Sequence, residues 1–286
     1  QDIIVLTNYA YFTEMLVFIY LKTLRIPYYL EVDGGIVKSE NTLKKWYKSF
    51  LISGAYGYIS PSKQTDDYLL YYGAKKEKIH RYPFTSLKEI DILKGNLSAK
   101  EKDKIREELE MEENKIILSV GQFIHRKGYD ILLKAAKNID KNTGIYIVGG
   151  EPTEEYIDLK DKGNLNNVHF IGFKSKEDLK NYYKAADLFV LPTREDIWGL
   201  VINEAMAYGL PIITTNKCVA GLELVKEAEN GFIIPTEDYR ELEKKINDIL
   251  SDDTLRNNMS RKSLEKIRKY VIENSADTHR KIFNLR

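Results

Sequence analysis

The chain has 286 residues, enough for one large domain or two medium ones. With 43% hydrophobic and 30% charged residues it is too apolar for a disordered chain, and a formal net charge of +1 gives no global reason to expect nucleic acid as a partner. The single cysteine, Cys218, excludes an internal disulfide framework and a multi-cysteine metal site and suits a reducing cytoplasm, while no run approaches the roughly 18 apolar residues that span a bilayer.

The chain opens at Gln1 rather than Met and enters an apolar run at once, which predicts a further segment upstream. Strands are predicted at residues 3–6 (IIVL), 27–32 (PYYLEV), 115–120 (KIILSV), 144–149 (GIYIVG), 167–172 (NVHFIG), 188–192 (LFVLP) and 211–215 (PIITT). Each is short, rich in β-branched or aromatic residues, and continuous rather than alternating. Continuous apolar strands separated by helical patterns predict an α/β protein whose parallel sheet is covered on both faces. One helix is announced by the capping box of Ser175 and Asp178 and runs to Ala186. Residues 116–234 carry five or six strand–helix units, a complete doubly wound domain, whereas the first hundred residues hold too few strands for one. A polar stretch from Tyr82 to about Asp103, with Pro83 and Gly95, reads as the linker between them. The last 35 residues are charged and helical in pattern.

Several common chemistries have no motif here. There is no G-x-G-x-x-G after a strand, no P-loop and no G-x-S-x-G. The four histidines, His80, His125, His169 and His279, have no metal-ligand spacing, and no D-x-D pair suits a metal-bridged diphosphate. Neutralising charge for a phosphate ester would have to come from the protein's own side chains.

Two segments carry legible chemistry. In residues 193–215 a helix is predicted from Gly199 or Leu200 to Tyr208, stopped by Gly209. Glu204 is the only charged residue between Ile197 and Ile213, on a helix apolar on nearly every side. A carboxylate placed there is costly unless hydrogen-bonded or facing a cleft, and it suits paired sugar hydroxyls, such as a ribose diol. The alternative is a solvated surface glutamate. Asp196 precedes the helix, either as a ligand or as a plain N-terminal cap. Trp198, Gly199 and Leu200 put backbone N–H groups at the helix start, an anion site. In residues 119–136, a strand ends at Gly121, a loop carries His125, Arg126 and Lys127, and a helix follows Gly128. Ligands of doubly wound sheets sit at such carboxyl ends. Lys127 is either a point charge for a diphosphate or an ordinary surface lysine.

Together these segments resemble the retaining glycosyltransferases of family 4, of the bacterial polysaccharide-biosynthesis type. The family's Glu, seven residues, Glu is matched by Asp196 and Glu204 inside EDIWGLVINEAMAYGLP, and its glycine–lysine loop by VGQFIHRKG. VGGEP, NVHFIGF, LKNYYKAADLFVLPT and AGLELVKEAENGFIIP follow in family order; EVDGG and YLLYYGAKKEKIHRYPFTS resemble the N-terminal domain more loosely.

The resemblance implies a GT-B fold of two Rossmann-like doubly wound domains, the N-terminal one incomplete. Residues 1–95 would be the acceptor-side domain, 96–265 the nucleotide-sugar domain, and 266–286 a helix returning towards the first. It implies metal-independent transfer, with retention, of a sugar (hexosyltransferase type) from a UDP- or GDP-linked donor, without a cofactor. The acceptor would be a saccharide or lipid-linked glycan in capsule or other cell-surface polysaccharide synthesis, on the cytoplasmic side of the membrane. Glu204 would hold the ribose. Asp196 and the backbone of Trp198, Gly199 and Leu200 would hold the transferred sugar and phosphates. Lys127, with Gly121 and Gln122 beside it, would stabilise the leaving diphosphate, and Phe170 to Phe173 would line the base. Gln122 stands where many members have arginine, and Asp196 is a methylene shorter than the usual glutamate. Asp33 and Gly34 of EVDGG lie nearest the acceptor-side loop. Two other readings share the nucleotide site: a nucleotide-sugar 2-epimerase and a non-catalytic nucleotide-sugar or glycan-binding subunit. Finally, LKKWYKSFL (residues 43–51) alternates lysines with Trp46, Tyr47 and Phe50, which suits either a helix at a membrane surface or a charged helix with a core stripe.

Overall fold

A computed structural model describes residues 3–7 and 11–284. The chain divides into two compact units, Gln1–Thr85 with Tyr270–Arg286, and Ser86–Lys269. Residues 86–95, expected with the N-terminal part, fall in the second unit, where Leu93 N donates to Ala207 O at 2.9 Å.

The first unit runs β1 (Val5–Leu6), α1 (Phe12–Thr23), β2 (Tyr29–Glu31), α2 (Thr42–Ile52), β3 (Gly57–Ser60), α3 (Lys63–Tyr71) and β4 (Ile79–Arg81). Its four strands are parallel in the order β1-β2-β3-β4, with Leu30 opposite Tyr58 and Ile59 opposite His80. Phe18, Leu30, Leu51, Ile52, Leu69 and Tyr72 fill its core. Glu40, just ahead of α2, is a carboxylate with almost no exposure. Hydrogen bonds from Lys48 (2.6 Å) and the Tyr72 hydroxyl (2.6 Å), with Lys44 nearby, pull its pKa down to about 2 despite burial. On α2 itself only Leu51 and Ile52 are buried; Leu43, Trp46, Tyr47 and Phe50 are exposed, so its aromatic residues do not form a core stripe.

The second unit continues with α4 (Ala99–Glu108), β5 (Lys115–Val120), α5 (Tyr129–Ala136), β6 (Thr143–Val148), α6 (Glu154–Lys162), β7 (Val168–Ile171), α7 (Lys176–Ala185) and β8 (Leu188–Leu191). It ends with α8 (Leu200–Ala207), β9 (Ile212–Thr215), α9 (Val219–Leu224), β10 (Gly231–Ile234), α10 (Tyr239–Ser251) and α11 (Asp253–Ile267). Its six strands are all parallel in the order β10-β9-β8-β5-β6-β7. Every residue of β6, β8 and β9 is buried, as expected for strands covered on both faces. α5 and α10 close one core with Ile117, Ile145, Val190 and Ile213.

α4 is mostly charged and is fastened by ions rather than by an apolar stripe. Arg106 Nη2 and Lys102 Nζ meet the buried Asp187 carboxylate at 2.6 and 2.9 Å, Arg106 also donates to Ala185 O, and Ile116 N donates to Asp187 Oδ2. Burial opposes ionisation of Asp187, but the two cations hold its pKa below the ordinary value. α12 (Ile272–Ile282) returns the chain to the first unit, where Phe283 packs edge-on to Tyr29 at 4.9 Å and His279 Nε2 lies 3.3 Å from Glu31 Oε1.

Candidate active site

In the strand order of the second unit, the chain starts at β5, moves outward through β6 and β7, and then crosses back to β8 on the other side. The carboxyl ends of β5 and β8 therefore form the topological switch point, the place where parallel α/β sheets hold ligands. Two loops meet there. After β5, residues 125–127 form one turn of 3₁₀ helix that ends at Gly128 in the left-handed region (φ 70°). A Cβ on Gly128 would stand 2.1 Å from the Pro192 carbonyl oxygen, so only glycine lets the two loops approach this closely. After β8, the segment 193–196 is stitched to the first loop. Arg194 N and Thr193 Oγ1 both donate to Arg126 O, and Arg126 Nη1 donates to Glu195 O.

The stitching brings Lys127 and Asp196 together. Lys127 Nζ lies 2.7 Å from Asp196 Oδ2, and Arg126 Nη1 lies 3.5 Å from Oδ1. Only 12% and 13% of the Lys127 and Asp196 side chains are exposed, which rules out a surface lysine. Nor is Asp196 a side-chain cap: the N-cap of α8 is Gly199, left-handed at φ 102°, without a side-chain cap hydrogen bond. The Asp196 backbone is held on both sides, its N donating to Lys217 O and its O accepting from Val219 N.

Glu204 sits on the second turn of α8 among buried Ile202, Asn203, Ala205 and Met206, so it is not a solvated surface glutamate. Its Oε2 accepts a 2.8 Å hydrogen bond from the Tyr183 hydroxyl of α7. Burial raises its pKa, and the Tyr183 hydrogen bond and the Lys176 charge pull the other way.

The other predicted donor-side residues are placed as follows. Gly121 directly follows β5 beside the Lys127 side chain, and Gln122 is exposed. The Trp198 ring is buried and donates to Asn203 Oδ1 at 2.9 Å, so this residue can offer a ligand only its backbone. Gly199 and Leu200 stand at the start of α8, partly exposed. Phe170 packs into the core against Phe123, whereas Phe173 is 84% exposed. Asp33 and Gly34 lie in the first unit just beyond β2. Asp33 is exposed, with its carboxyl pKa raised by partial burial and then by Glu31.

Three residues escape sequence reasoning. Tyr183 looks like one more core residue at helical spacing. Tyr129 looks the same, yet its fully buried hydroxyl finds no hydrogen-bond partner among the described residues and would stand 2.9 Å from a Cβ on Gly121. Arg194 joins Asp130 through both Nη atoms and Glu237 through Nε. No local pattern signals any of these pairings.

The family profile described as glycosyl transferases group 1 matches residues 101–266, more than half of the chain. This chain is a member of that family. It is 30% identical over 167 residues to an uncharacterised glycosyltransferase of Methanocaldococcus jannaschii, covering 58% of this chain and 47% of that one. It is also 30% identical to the capsular polysaccharide biosynthesis glycosyltransferase CapM of Staphylococcus aureus, over 64% of this chain and 49% of the relative. The chain spans about half the length of these curated relatives. Among solved structures, Anabaena HepE in complex with UDP superposes with a TM-score of 0.80 at 18% identity, over 94% of this chain and 74% of that one. The fold of this group 1 transferase is accordingly GT-B, with Rossmann-like units.

Proposed function

We propose that the second unit binds a nucleoside-diphosphate sugar, and that the protein containing it transfers the sugar to a saccharide or lipid-linked acceptor with retention and without a metal. The acceptor belongs to cell-surface polysaccharide synthesis at the cytoplasmic face of the membrane. The observation that carries this reading is the Lys127–Asp196 ion pair at the switch point, whose Asp196 lies on the same loop–helix segment as the desolvated Glu204. Each group matches one part of such a donor. Glu204 accepts from the ribose hydroxyls, Lys127 and the N–H groups at the start of α8 face the diphosphate, and Asp196 accepts from the sugar. The HepE structure was solved with UDP, which supports a uracil base over a guanine one.

In the reaction, the bond between the anomeric carbon and the β-phosphate oxygen breaks, leaving an oxocarbenium-like sugar and a nucleoside diphosphate. The acceptor hydroxyl attacks from the face the diphosphate leaves. Its proton passes to the departing phosphate oxygen or to a group of the acceptor side. Lys127 and the start of α8 stabilise the charge that develops on the leaving group, the kind of fixed donor whose removal costs about 10²–10³ in rate.

The test is a thermal-shift titration of the chain with UDP and GDP, wild type against Glu204→Ala. At a ligand concentration about 100-fold above Kd, binding stabilises the native state by about 2.7 kcal/mol, a plain upward shift in Tm. The proposal expects that shift with UDP and its loss in Glu204→Ala. An equal shift in both proteins refutes the assignment of Glu204. Donor binding without transfer to any acceptor would make the chain a binding subunit.

A further inference from the structure

We propose that Tyr183 is a positioning residue, which fixes the Glu204 carboxylate in the orientation that receives the ribose diol. The inference rests on the donor-site reading above and extends it to a residue of a different helix. Tyr183 Oη donates to Glu204 Oε2 at 2.8 Å across the α7–α8 contact. The tyrosine ring has no freedom to turn away. It is 2% exposed, stacks on Tyr208 with centroids 5.4 Å apart and planes 2° from parallel, and abuts Phe189 at 6.0 Å. A glutamate on a helix otherwise has several side-chain rotamers to lose when a ligand captures it. Holding one oxygen from behind removes that freedom beforehand and leaves Oε1 without a hydrogen bond among the described residues. Tyr183 also favours the ionised carboxylate. Burial pushes the Glu204 pKa up, and the hydrogen bond from Tyr183 is the largest influence opposing it. A carboxylate with one oxygen held and the other free accepts the two neighbouring hydroxyls of ribose as a pair.

A structural tyrosine would support the helix pair and affect any nucleotide equally. A positioning tyrosine acts only through the diol. The experiment therefore measures, by calorimetry, the affinities of UDP and of 2′,3′-dideoxy-UDP for wild type, Tyr183→Phe, Glu204→Gln and the double variant. Tyr183→Phe keeps the ring and its stack, so the fold is retained. The expected result is that wild type prefers UDP by roughly 10- to 100-fold, the scale of hydrogen bonds to a charged group. Tyr183→Phe should lose most of that preference while binding the dideoxy compound as wild type does. In the Glu204→Gln background the tyrosine substitution should cost little more, because the two residues act as one unit. Tyr183→Phe weakening both nucleotides equally, or changing neither, overturns the positioning role while leaving the donor site standing. Wild type binding UDP no better than its dideoxy analogue overturns the ribose assignment of Glu204, and the role of Tyr183 with it.

Discussion

Removing the Lys127 side chain tests the site most directly, because stability and binding should respond in separable ways. Lys127→Ala deletes the 2.7 Å ion pair and leaves Asp196, itself 9% exposed, with Arg126 at 3.5 Å as its one remaining ion-pair partner among the described residues. Breaking a fully buried pair by removing one partner typically costs about 3–5 kcal/mol, since the surviving charge is stranded. Here the cost should be smaller, about 1–3 kcal/mol, because Arg126 remains and each partner keeps an exposed edge. Asp196→Asn added to Lys127→Ala removes the stranded charge and should recover most of that loss in a urea titration. Nucleotide binding should not follow. Both the single and the double variant lack the cation that the proposal assigns to the diphosphate, so the UDP-induced Tm shift should be reduced in both. In an assay of donor turnover both should fall by about 10²–10³, some 3–4 kcal/mol of transition-state stabilisation. Two outcomes refute the reasoning. If Lys127→Ala is as stable as wild type, the pair is not desolvated. If its UDP shift is intact, Lys127 does not face the diphosphate.

Three further outcomes are expected. Asp187→Ala strands Lys102 and Arg106 beneath α4, and chemical denaturation of the chain should reveal a loss of about 3–5 kcal/mol. For Glu40 the folded pKa, about 2, lies below the unfolded value of about 4.3, so its contribution is complete above the unfolded value and disappears as pH falls through this window towards 2. Unfolding curves of wild type and Glu40→Gln should therefore differ at neutral pH and converge on acidification, and a constant difference would remove Glu40 as the cause. On α1 and α2, exposed Phe12, Leu16, Ile19, Leu43, Trp46 and Phe50 stand among Lys22, Lys44 and Lys45, and no described helix is long and apolar enough to cross a membrane. Flotation with vesicles containing anionic lipid should carry the protein upward, and Trp46→Ala with Phe50→Ala should weaken this; recovery only at the bottom of the gradient counts against a membrane surface.

Fold and site were legible in the sequence to different depths, for physical reasons. The strands of the second unit announce themselves because burial on both faces demands continuous apolar residues, as in KIILSV and LFVLP. β3 (GYIS) and β4 (IHR) give no such signal: they are three or four residues long and carry polar side chains. β10 lies within AGLELVKEAENGFIIP, a segment that only the family resemblance singles out, since GFII alone is too short to separate from a helix end. Lys127, Asp196 and Glu204 stood out as charges in apolar or strand-end settings. Tyr183 and Tyr129 did not, because a buried tyrosine at helical spacing has the same local pattern whether its hydroxyl is used or idle. The partner of Tyr183 is 21 positions away and that of Lys127 is 69, separations that only the tertiary fold closes.

The same tertiary closure explains how loops, ordinarily the mobile parts of a domain, can hold charges in fixed places. Arg194 is the main strut. Its guanidinium grips Asp130 of α5 with two hydrogen bonds of 2.8 Å, Glu237 beyond β10 with two more, and the His125 carbonyl with another. Exposed salt bridges usually contribute little, but this one is bidentate on both carboxylates and its arginine side chain is only 17% exposed. One side chain thus joins the segments that follow β5, β8 and β10. Asp196, two residues further on, inherits that rigidity and adds its own backbone hydrogen bonds to Lys217 and Val219. Electrostatic catalysis works only when the stabilising charges need not reorganise as the reaction proceeds. For the proposed reaction, the network around Arg194 would meet that condition with residues that need never touch the substrate.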